Sequence, residues 1–247
     1  MDVSSFVLLS HEQALRRRLD VAANNMANSS TAGFKREQPL FHAYVDESID
    51  APIEAAKTTA YVLDYGTVHD TAAGAFQSTS NPLDVMIEGP GYLWVELADG
   101  GTAYTRSGHL KVASTGDLVT ATGQRLLGEG GVPINVPLDQ VGRLTIAADG
   151  SVMSGQTALG RLTVTAFDDE SGVVQRGDGM MTADAGRVLG AAETKFRSGG
   201  VEGSNVQPIA ETTAMVEILR AYQSSQGLIQ SLNDMRLRAI DRLGKGN

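Results

Sequence analysis

The sequence predicts an α+β protein in which long N- and C-terminal helices, paired in a coiled-coil-like manner, flank a central antiparallel β domain. Apolar side chains recur at alternating steps of three and four residues over residues 3 to about 29 and about 206 to 243, the spacing of a seam along one side of a helix. Residues from about 83 to 195 instead form short alternating or apolar runs separated by glycine-containing turns, a pattern typical of antiparallel sheets.

The composition excludes several classes of function. A net charge of −9 argues against binding to the phosphate backbone of nucleic acid. The absence of cysteine excludes thiol chemistry, disulfides and cysteine-based metal sites. No apolar run approaches the ~18 to 20 residues that a membrane span needs. The N-terminal apolar stretch has no basic residue ahead of it, so we expect no cleaved secretory signal.

The N-terminal helix, with its exit at Gly33, forms the first predicted domain, residues 1–33. Its seam is narrow, and the three arginines of residues 16–18 leave much of the opposite face charged. A narrow seam on a helix of roughly 40 Å suits helix-on-helix packing better than burial in a globular core. Asparagines at 24, 25 and 28 are poor helix formers, which leaves two explanations: they bond a partner or a returning loop, or the helix end frays. The seam residues are Leu8, Glu12, Leu15, Leu19, Ala22 and Met26.

Residues 34–75 predict an extended connector with room for one strand, because Pro39 and Pro52 interrupt it and no period is sustained. Residues 76–197 predict the β domain. Prolines 133 and 137 bracket residues 134–136 and predict that this piece is an edge strand. The clearest strand-like runs are residues 84–87, 92–97, 103–106, 109–112, 144–146 and 162–167.

The C-terminal helix occupies the last predicted domain, residues 198–247. Ser204 or Asn205 is expected to cap it, and Pro208 suits its first turn because the missing N–H costs nothing there. An acid at Glu211 and several basic residues near the end complement the helix dipole. Its seam reads Met215, Ile218, Tyr222, Ser225, Ile229, Leu232, Arg236, Ala239 and Leu243.

No residue pattern predicts catalysis, a metal or a cofactor. The four histidines are dispersed, and no nucleophile-elbow motif is present. The acidic run at residues 168–172 precedes a glycine between strands, and such runs are more often solvated turns than calcium sites. The chemistry therefore favours assembly over catalysis.

Three segments closely resemble the signatures of bacterial flagellar rod and hook proteins. Residues 19–28 (LDVAANNMAN) followed by 31–35 (TAGFK) match the N-terminal signature, and residues 201–206 (VEGSNV) followed by 220–223 (RAYQ) match the C-terminal one. Residues 104–108 (YTRSG) and 116–123 match the β segment of rod members. The signature residues are Asn24, Asn25, Asn28, Thr31, Gly33, Phe34, Lys35, Gly203, Ser204 and Asn205.

The resemblance implies a structural subunit of the flagellar basal body that transmits torque from motor to hook. Such a subunit would be exported without a cleaved signal and would polymerise through its terminal helices. Its partners would be other rod proteins and the export apparatus, with self-association as an additional option and no cofactor. The terminal helices of neighbouring subunits would pack together into the inner tube of the rod. The residues that make this packing would be the apolar seam residues Leu8, Leu15, Leu19, Ala22, Met26, Met215, Ile218, Tyr222, Ile229, Leu232 and Leu243.

Alternatives stay open at three levels. Length and residues 15–20 most resemble the proximal-rod members, with the distal-rod members as the near alternative; Ala23, Ala32 and Ser107 depart from common family residues. The two helices could form a self-contained hairpin that caps the β domain. A different class is a secreted enzyme or carbohydrate-binding β domain, which would need a distant carboxylate pair such as Asp84 with Asp117.

Overall fold

The computed structural model describes residues 3–47, 58–167, 172–176, 179–183 and 186–244. These residues divide into two compact units. The terminal unit contains the two long helices, residues 37–67 where described, and the chain from residue 207 onward. The β unit contains residues 28–36 and the described part of 68–206. The acidic run at residues 168–172 falls almost wholly outside the described residues.

The terminal unit contains two helices and a two-stranded sheet. Its elements are α1 (Val3–Ala27), β1 (Glu37–Glu47), β2 (Thr58–His69) and α2 (Pro208–Gly244). α1 and α2 contact each other, and α1 also contacts β1. Both predicted helices are therefore present, with ends within about two residues of those expected.

Strands β1 and β2 pair with each other, although the sequence predicted an extended connector with room for one strand. The second strand was missed because Pro39, Pro52 and the lack of a sustained period were taken to interrupt the segment. Pro39 lies near the start of β1, in a sheet of two strands where both are edges, so its missing N–H is tolerated.

The β unit is built from short antiparallel strands. Each of the six runs picked out in the sequence overlaps one of these strands. The strands are β3 (Phe76–Ser78), β4 (Val85–Glu88), β5 (Tyr92–Glu96), β6 (Thr102–Thr105), β7 (Leu110–Val112), β8 (Leu118–Thr120), β9 (Arg125–Leu126), β10 (Leu144–Ile146), β11 (Ser151–Ser154), β12 (Thr157–Arg161), β13 (Val164–Ala166), β14 (Val174–Gln175), β15 (Met181–Thr182), β16 (Arg187–Val188), β17 (Lys195–Ser198) and β18 (Gly200–Glu202).

One large sheet organises this unit, in the order β14-β15-β6-β5-β9-β8-β7, with β13 joining both β5 and β16. Strands β10, β11 and β12 form a second sheet, while β17 pairs with β4 and β18 with β3. These last two pairs join residues near 200 to residues near 80, so the two ends of the β unit are closed against each other. A large apolar core fills most of the unit, and its most buried members include Leu93, Val95, Leu118, Leu126 and Leu162. A smaller cluster contains Tyr92, Tyr104, Val173 and Met181.

Two local predictions were wrong. Residues 134–136 are not an edge strand: Asn135 forms an isolated bridge with Asp117, and Ile134 and Val136 are buried. Ser204 or Asn205 was expected to cap α2, but that helix begins at Pro208, so neither residue stands directly before it. Ser204 Oγ accepts a hydrogen bond from the Val206 amide instead, and the Asn205 side chain bonds the backbone of Arg36, Asp70 and Ala72.

No helix within the described ranges has the length and apolarity of a membrane span.

Candidate functional site

The predicted seam of α1 is buried or half-buried along its length. Leu15 and Ala22 are buried, while Leu8, Leu19 and Met26 are half-buried. Glu12, the polar member of this seam, is also half-buried, and its Oε1 accepts no hydrogen bond from any described residue. Val21 and Asn25, which lie outside the predicted seam, are buried as well.

The predicted seam of α2 is covered along most of the helix and uncovered at its end. Ile218 and Ser225 are buried, and Met215, Tyr222, Ile229, Leu232 and Arg236 are half-buried. Ala239 and Leu243 are exposed, Leu243 by 82%. Every residue from 237 to 244 is exposed, so within one chain the seam has no cover over the last two turns of α2.

Apolar side chains also lie off the seam and face solvent. On α2, Val216, Leu219, Leu228 and Met235 are exposed by 42% to 57%. Exposed apolar residues that occur singly are ordinary, whereas these four lie along one helix.

Asn25 ties α1 to the start of β1. Its side chain is 1% exposed; Nδ2 donates to the Glu37 carbonyl at 2.9 Å and Oδ1 accepts the Glu37 amide at 2.8 Å. Asn28 instead closes the turn after α1, where its Oδ1 accepts the Thr31 hydroxyl at 3.1 Å. Asn25 therefore bonds the returning chain, the first of the two explanations that the sequence left open.

A buried charged junction, defined as Lys35, Arg106 and Glu202, joins three distant parts of the β unit. Glu202 Oε1 accepts Lys35 Nζ at 2.7 Å and the Gly74 amide at 2.8 Å, and Glu202 Oε2 accepts Arg106 Nε at 2.5 Å. All three charged side chains are 3% exposed or less. Two cations thus share one carboxylate away from water.

Backbone carbonyls complete the junction. The Arg106 guanidinium donates to the carbonyls of Ile87 at 3.0 Å and Gly89 at 2.6 Å, and also to that of Gly91. Lys35 Nζ donates to the Ala72 carbonyl at 2.8 Å. Buried charges are tolerated when their hydrogen-bonding groups are satisfied, and here the excess positive charge is spread over carbonyl dipoles.

The junction shifts two pKa values. Burial alone would raise the pKa of Glu202, but the charge of Arg106 and the hydrogen bonds from Lys35, Arg106 and Gly74 outweigh it, so the pKa lies below its ordinary value. Burial lowers the pKa of Lys35, and the charge of Arg106 adds to this effect, while the Glu202 hydrogen bond opposes it. Glu202 is therefore held ionised.

Gly33 lets the backbone approach the junction. Its amide donates to the Glu202 carbonyl at 2.8 Å, and its φ of +74° lies in the left-handed region that favours glycine. A Cβ at this position would lie 2.4 Å from the Arg106 carbonyl carbon. Glycine is the one residue that meets both requirements.

The remaining signature residues surround the same place. Asn205 Nδ2 donates to the carbonyls of Asp70 and Ala72, and its Oδ1 accepts the Arg36 amide at 2.7 Å. The Gly203 amide donates to the Ala75 carbonyl at 2.8 Å. Phe34 is buried, Ser204 is half-buried and Thr31 is exposed at the turn. The two terminal signatures therefore bond each other and the chain around residues 70–75.

Sequence reasoning quoted Arg106 and Glu202 within motifs but assigned neither a role. The signal that the sequence offered for Arg106 and Glu202 was that each is a charged residue within a short run of glycine and apolar residues. Their pairing could not be read from the sequence, because Lys35 and Glu202 lie 167 residues apart.

The arrangement lacks the features of an active site. The junction is closed to water and its carboxylate is fully bonded. Asp84 pairs with His109 and Asn81, whereas Asp117 bonds Thr115 and Asn135, so the two carboxylates have separate partners. Within the described part of the chain, no cluster of three or more metal-ligating side chains occurs.

Three family profiles match the chain. "Flagella basal body rod protein" matches residues 10–35, "Flagellar hook protein FlgE/F/G D1 domain" matches residues 86–154, and "Flagellar basal body rod FlgEFG protein C-terminal" matches residues 197–242. Each matched segment supplies one member of the buried charged junction.

Curated relatives match over almost their whole length. The chain is 32% identical over 248 residues to the flagellar basal-body rod protein FlgF of Caulobacter vibrioides, covering 100% of both chains. It is 33% identical over 255 residues to FlgF of Salmonella typhimurium, covering 97% of each. It is 31% identical over 253 residues to the rod protein FlgG of Bacillus subtilis, covering 92% of this chain and 94% of the relative.

Proposed function

The chain belongs to the family of bacterial flagellar basal-body rod proteins, and we propose that it enters the rod through the seams of its two terminal helices. It is a structural, FlgF-like rod subunit of the basal body and not an enzyme. The finer assignment concerns which surfaces assemble and where along the rod the subunit lies.

The observation that supports the proposal most directly is that the seam of α2 is buried or half-buried along most of the helix but exposed at its end. Seam residues of the helix are buried or half-buried as far as Arg236, yet apolar residues off the seam and at the helix end are exposed. A self-contained pair of helices would leave this apolar surface in water, which is unfavourable by about 25 cal/mol per Å². A subunit packed among neighbouring helices would cover it. We therefore propose that α1 and α2 pair in a coiled-coil-like manner and that neighbours complete the packing.

We place the subunit in the proximal rod. The FlgF relatives align with the chain over 97% to 100% of its length, whereas the FlgG relatives align over 90% to 92%. The distal rod is the alternative. We further propose export through the flagellar apparatus without a cleaved signal, with other rod proteins as partners.

The test is Leu232→Asp, a charge placed in the half-buried seam of α2. A charge that loses water on assembly is costly, so we expect at least a tenfold loss of the subunit from purified basal bodies. The matched control is Asn233→Asp, which places the same charge on the same helix at an exposed polar position. Both purified variants should keep a folded β unit by thermal unfolding.

Normal incorporation of the Leu232→Asp subunit would show that this face of α2 is not an assembly surface. Equal loss of both variants would also contradict the seam, because it would make the position on the helix irrelevant.

A further inference from the structure

The β unit contains a polar cavity that is separate from the buried charged junction. Its volume is about 740 Å³, and it lies between the turn that joins β5 to β6 and the turn that joins β8 to β9. The polar residues that line it include Glu96, Asp99, Gln124, Arg125 and Arg176. We call this space the turn cavity. Its volume falls within the ~300 to 1,000 Å³ that is usual for sites that enclose small ligands.

The side-chain amide of Gln124 is held in one orientation and keeps its donors for a ligand. Gln124 Oε1 accepts hydrogen bonds from the hydroxyls of Thr120 and Thr122. Because these hydroxyls occupy the oxygen, the Nε2 group is the end of the amide that stays available, and it bonds no described residue. Gln124 therefore offers N–H donors whose direction is fixed before a ligand binds.

Asp99 and Arg125 are fixed in a similar way. Asp99 Oδ1 accepts the Gly101 amide at 2.9 Å, and Oδ2 accepts no hydrogen bond from a described residue. Arg125 Nε lies 3.0 Å from Glu96 Oε2, and the two terminal nitrogens of the guanidinium bond none of the described residues. Asp99, Gln124 and Arg125 thus each have one end held by their own chain and the other end uncommitted. Groups that are fixed in advance bind a ligand at a smaller cost in side-chain entropy.

The charges around the turn cavity balance, which argues against charged ligands. Arg125 and Arg176 supply two positive charges, and Glu96 and Asp99 supply two negative ones. A phosphate-rich ligand would meet two carboxylates, and a metal ion would meet two guanidinium groups. The ligand that fits this lining is therefore polar but uncharged.

Few apolar side chains line the turn cavity. Among the described lining residues only Leu97 and Ala98 have apolar side chains, so a lipid chain or the apolar anchor of a peptide would bury little surface there. Gln124 and Arg125 offer donors, whereas Asp99 offers an acceptor. A ligand that satisfies all of them needs several groups that both donate and accept, and hydroxyls have that property.

An aromatic ring lies beside the turn cavity. Trp94 precedes Glu96 by two residues on β5, so the two side chains lie on the same face of the strand, about 7 Å apart. Tyr104 lies opposite Trp94 on β6, and the Trp94 side chain is half-buried. A flat apolar ring next to planar polar groups matches a sugar, which has apolar C–H faces and a rim of hydroxyls.

We propose that the turn cavity binds an uncharged glycan, a short segment of a chain of pyranose rings. Hydroxyls of the glycan accept hydrogen bonds from Gln124 Nε2 and the Arg125 guanidinium and donate to Asp99 Oδ2. One sugar ring lies against the exposed part of Trp94. This binding belongs to the β unit alone and is independent of assembly through the terminal helices.

The test measures binding of two tetrasaccharides to the purified full-length chain by isothermal titration calorimetry. The probes are chitotetraose and cellotetraose, which differ in the acetamido group on each ring. We expect saturable binding of at least one of them, with a Kd of about 1 mM or lower. Absence of binding to both would overturn the proposal.

Two variants change the hydrogen-bonding groups of the turn cavity and keep their shape. Gln124→Glu replaces the Nε2 donor by an acceptor, and Asp99→Asn replaces the Oδ2 acceptor by a donor. Each should weaken tetrasaccharide binding by about tenfold or more, and a variant whose thermal unfolding matches the unmodified chain is sufficient.

The matched controls make the same substitutions away from the turn cavity. Gln156→Glu lies at an exposed position, and Asp149→Asn lies in a turn of the same kind, where Asp149 Oδ1 accepts the Ser151 amide at 3.0 Å. Both controls should bind the tetrasaccharide as the unmodified chain does. Equal affinities of the cavity variants and the controls would overturn the assignment of the site.

Salt and a polyanion distinguish recognition of hydroxyls from attraction between charges. Binding of an uncharged tetrasaccharide should change little between about 0.1 M and 1 M salt, a range over which attraction between exposed charges is strongly screened. Binding of heparin in preference to both tetrasaccharides would contradict an uncharged ligand. Because these assays use the free chain, their failure would leave assembly into the rod unaffected, and loss of assembly would leave glycan binding unaffected.

Discussion

At the scale of single residues, Glu202 closes the β unit. One carboxylate neutralises part of the charge of Lys35 and Arg106, and its own backbone carbonyl accepts the Gly33 amide. Breaking a buried ion pair from one side leaves an uncompensated charge away from water, which is more destabilising than the pair is stabilising. In this junction two cations would be left at once.

We predict that Glu202→Gln destabilises the β unit by about 3 to 5 kcal/mol, the range for loss of one partner from a buried pair. Urea unfolding of the purified chain, followed by tryptophan fluorescence, measures it. The matched control is Glu193→Gln, which breaks the exposed pair between Arg187 and Glu193 at 3.0 Å and should leave stability close to wild type. Similar effects of the two variants would contradict the role assigned to Glu202.

The lowered pKa of Glu202 predicts the pH dependence of stability. Between the lowered pKa and the ordinary value of 4.5, the unfolded chain binds more protons than the folded chain at this group. Its contribution is therefore complete above about pH 4.5 and is lost as the pH falls through the folded-state pKa.

We expect the free energy of unfolding of the wild type to fall below about pH 4.5, and Glu202→Gln to fall less steeply there. Urea unfolding from pH 7 to pH 3 measures both slopes. Asp149→Asn is the control, because the pKa of this exposed carboxyl is also lowered, by hydrogen bonds from Ser151. A larger change of slope for Asp149→Asn than for Glu202→Gln would contradict the prediction.

At the scale of elements, α1 is a helix whose end is fixed by a side chain. Asn25 forms two hydrogen bonds with the backbone of Glu37, one as donor and one as acceptor, and so reproduces the pairing of a neighbouring strand. This explains an asparagine at a helical position where its intrinsic propensity is poor. It also connects the seam helix to the start of β1.

We predict that Asn25→Ala lowers incorporation into basal bodies several-fold, because the Glu37 amide and carbonyl are left without their partner at a cost of about 1 to 3 kcal/mol. Quantitative immunoblotting of purified basal bodies measures it. Asn233→Ala, at an exposed position of α2, should incorporate normally. If both variants incorporate equally, α1 does not depend on this tether.

The elements differ in how well sequence anticipates them. α1 and α2 were predicted because an apolar period sustained over many turns has one structural meaning. Runs such as residues 144–146 were predicted because glycine-containing turns mark their ends. The pair β1 and β2 was missed because Pro39 stands within β1, and a proline is compatible with strands only at starts and edges.

The junction was missed for a different reason. Its members bond across 96 and 167 residues, and local pattern carries no information on which distant charges meet. Asn205 was assigned to a helix cap by its position, whereas it bonds residues 36, 70 and 72. The family resemblance identified these residues as parts of signatures but gave no information on the residues that they contact.

At the scale of the whole molecule, the chain combines a β unit with its own core and a terminal unit with little. The buried apolar residues of the terminal unit include Leu15, Val21, Ala22 and Ile218, spread over two helices of 25 and 37 residues. Ordering backbone costs about 1 to 2 kcal/mol per residue. Seams this narrow offset that cost only when neighbouring subunits add their own surface. We therefore predict that the terminal helices of the free subunit are poorly ordered and fold fully on assembly.

Limited proteolysis of the purified free chain, with fragment masses, repeated on basal bodies, tests this most directly. The junction binds residues 33–36 to residues 202–205, so we expect cuts before about residue 28 and after about residue 206, and protection of both ends in basal bodies. Helices already resistant in the free chain would contradict folding on assembly and would favour a self-contained helical pair.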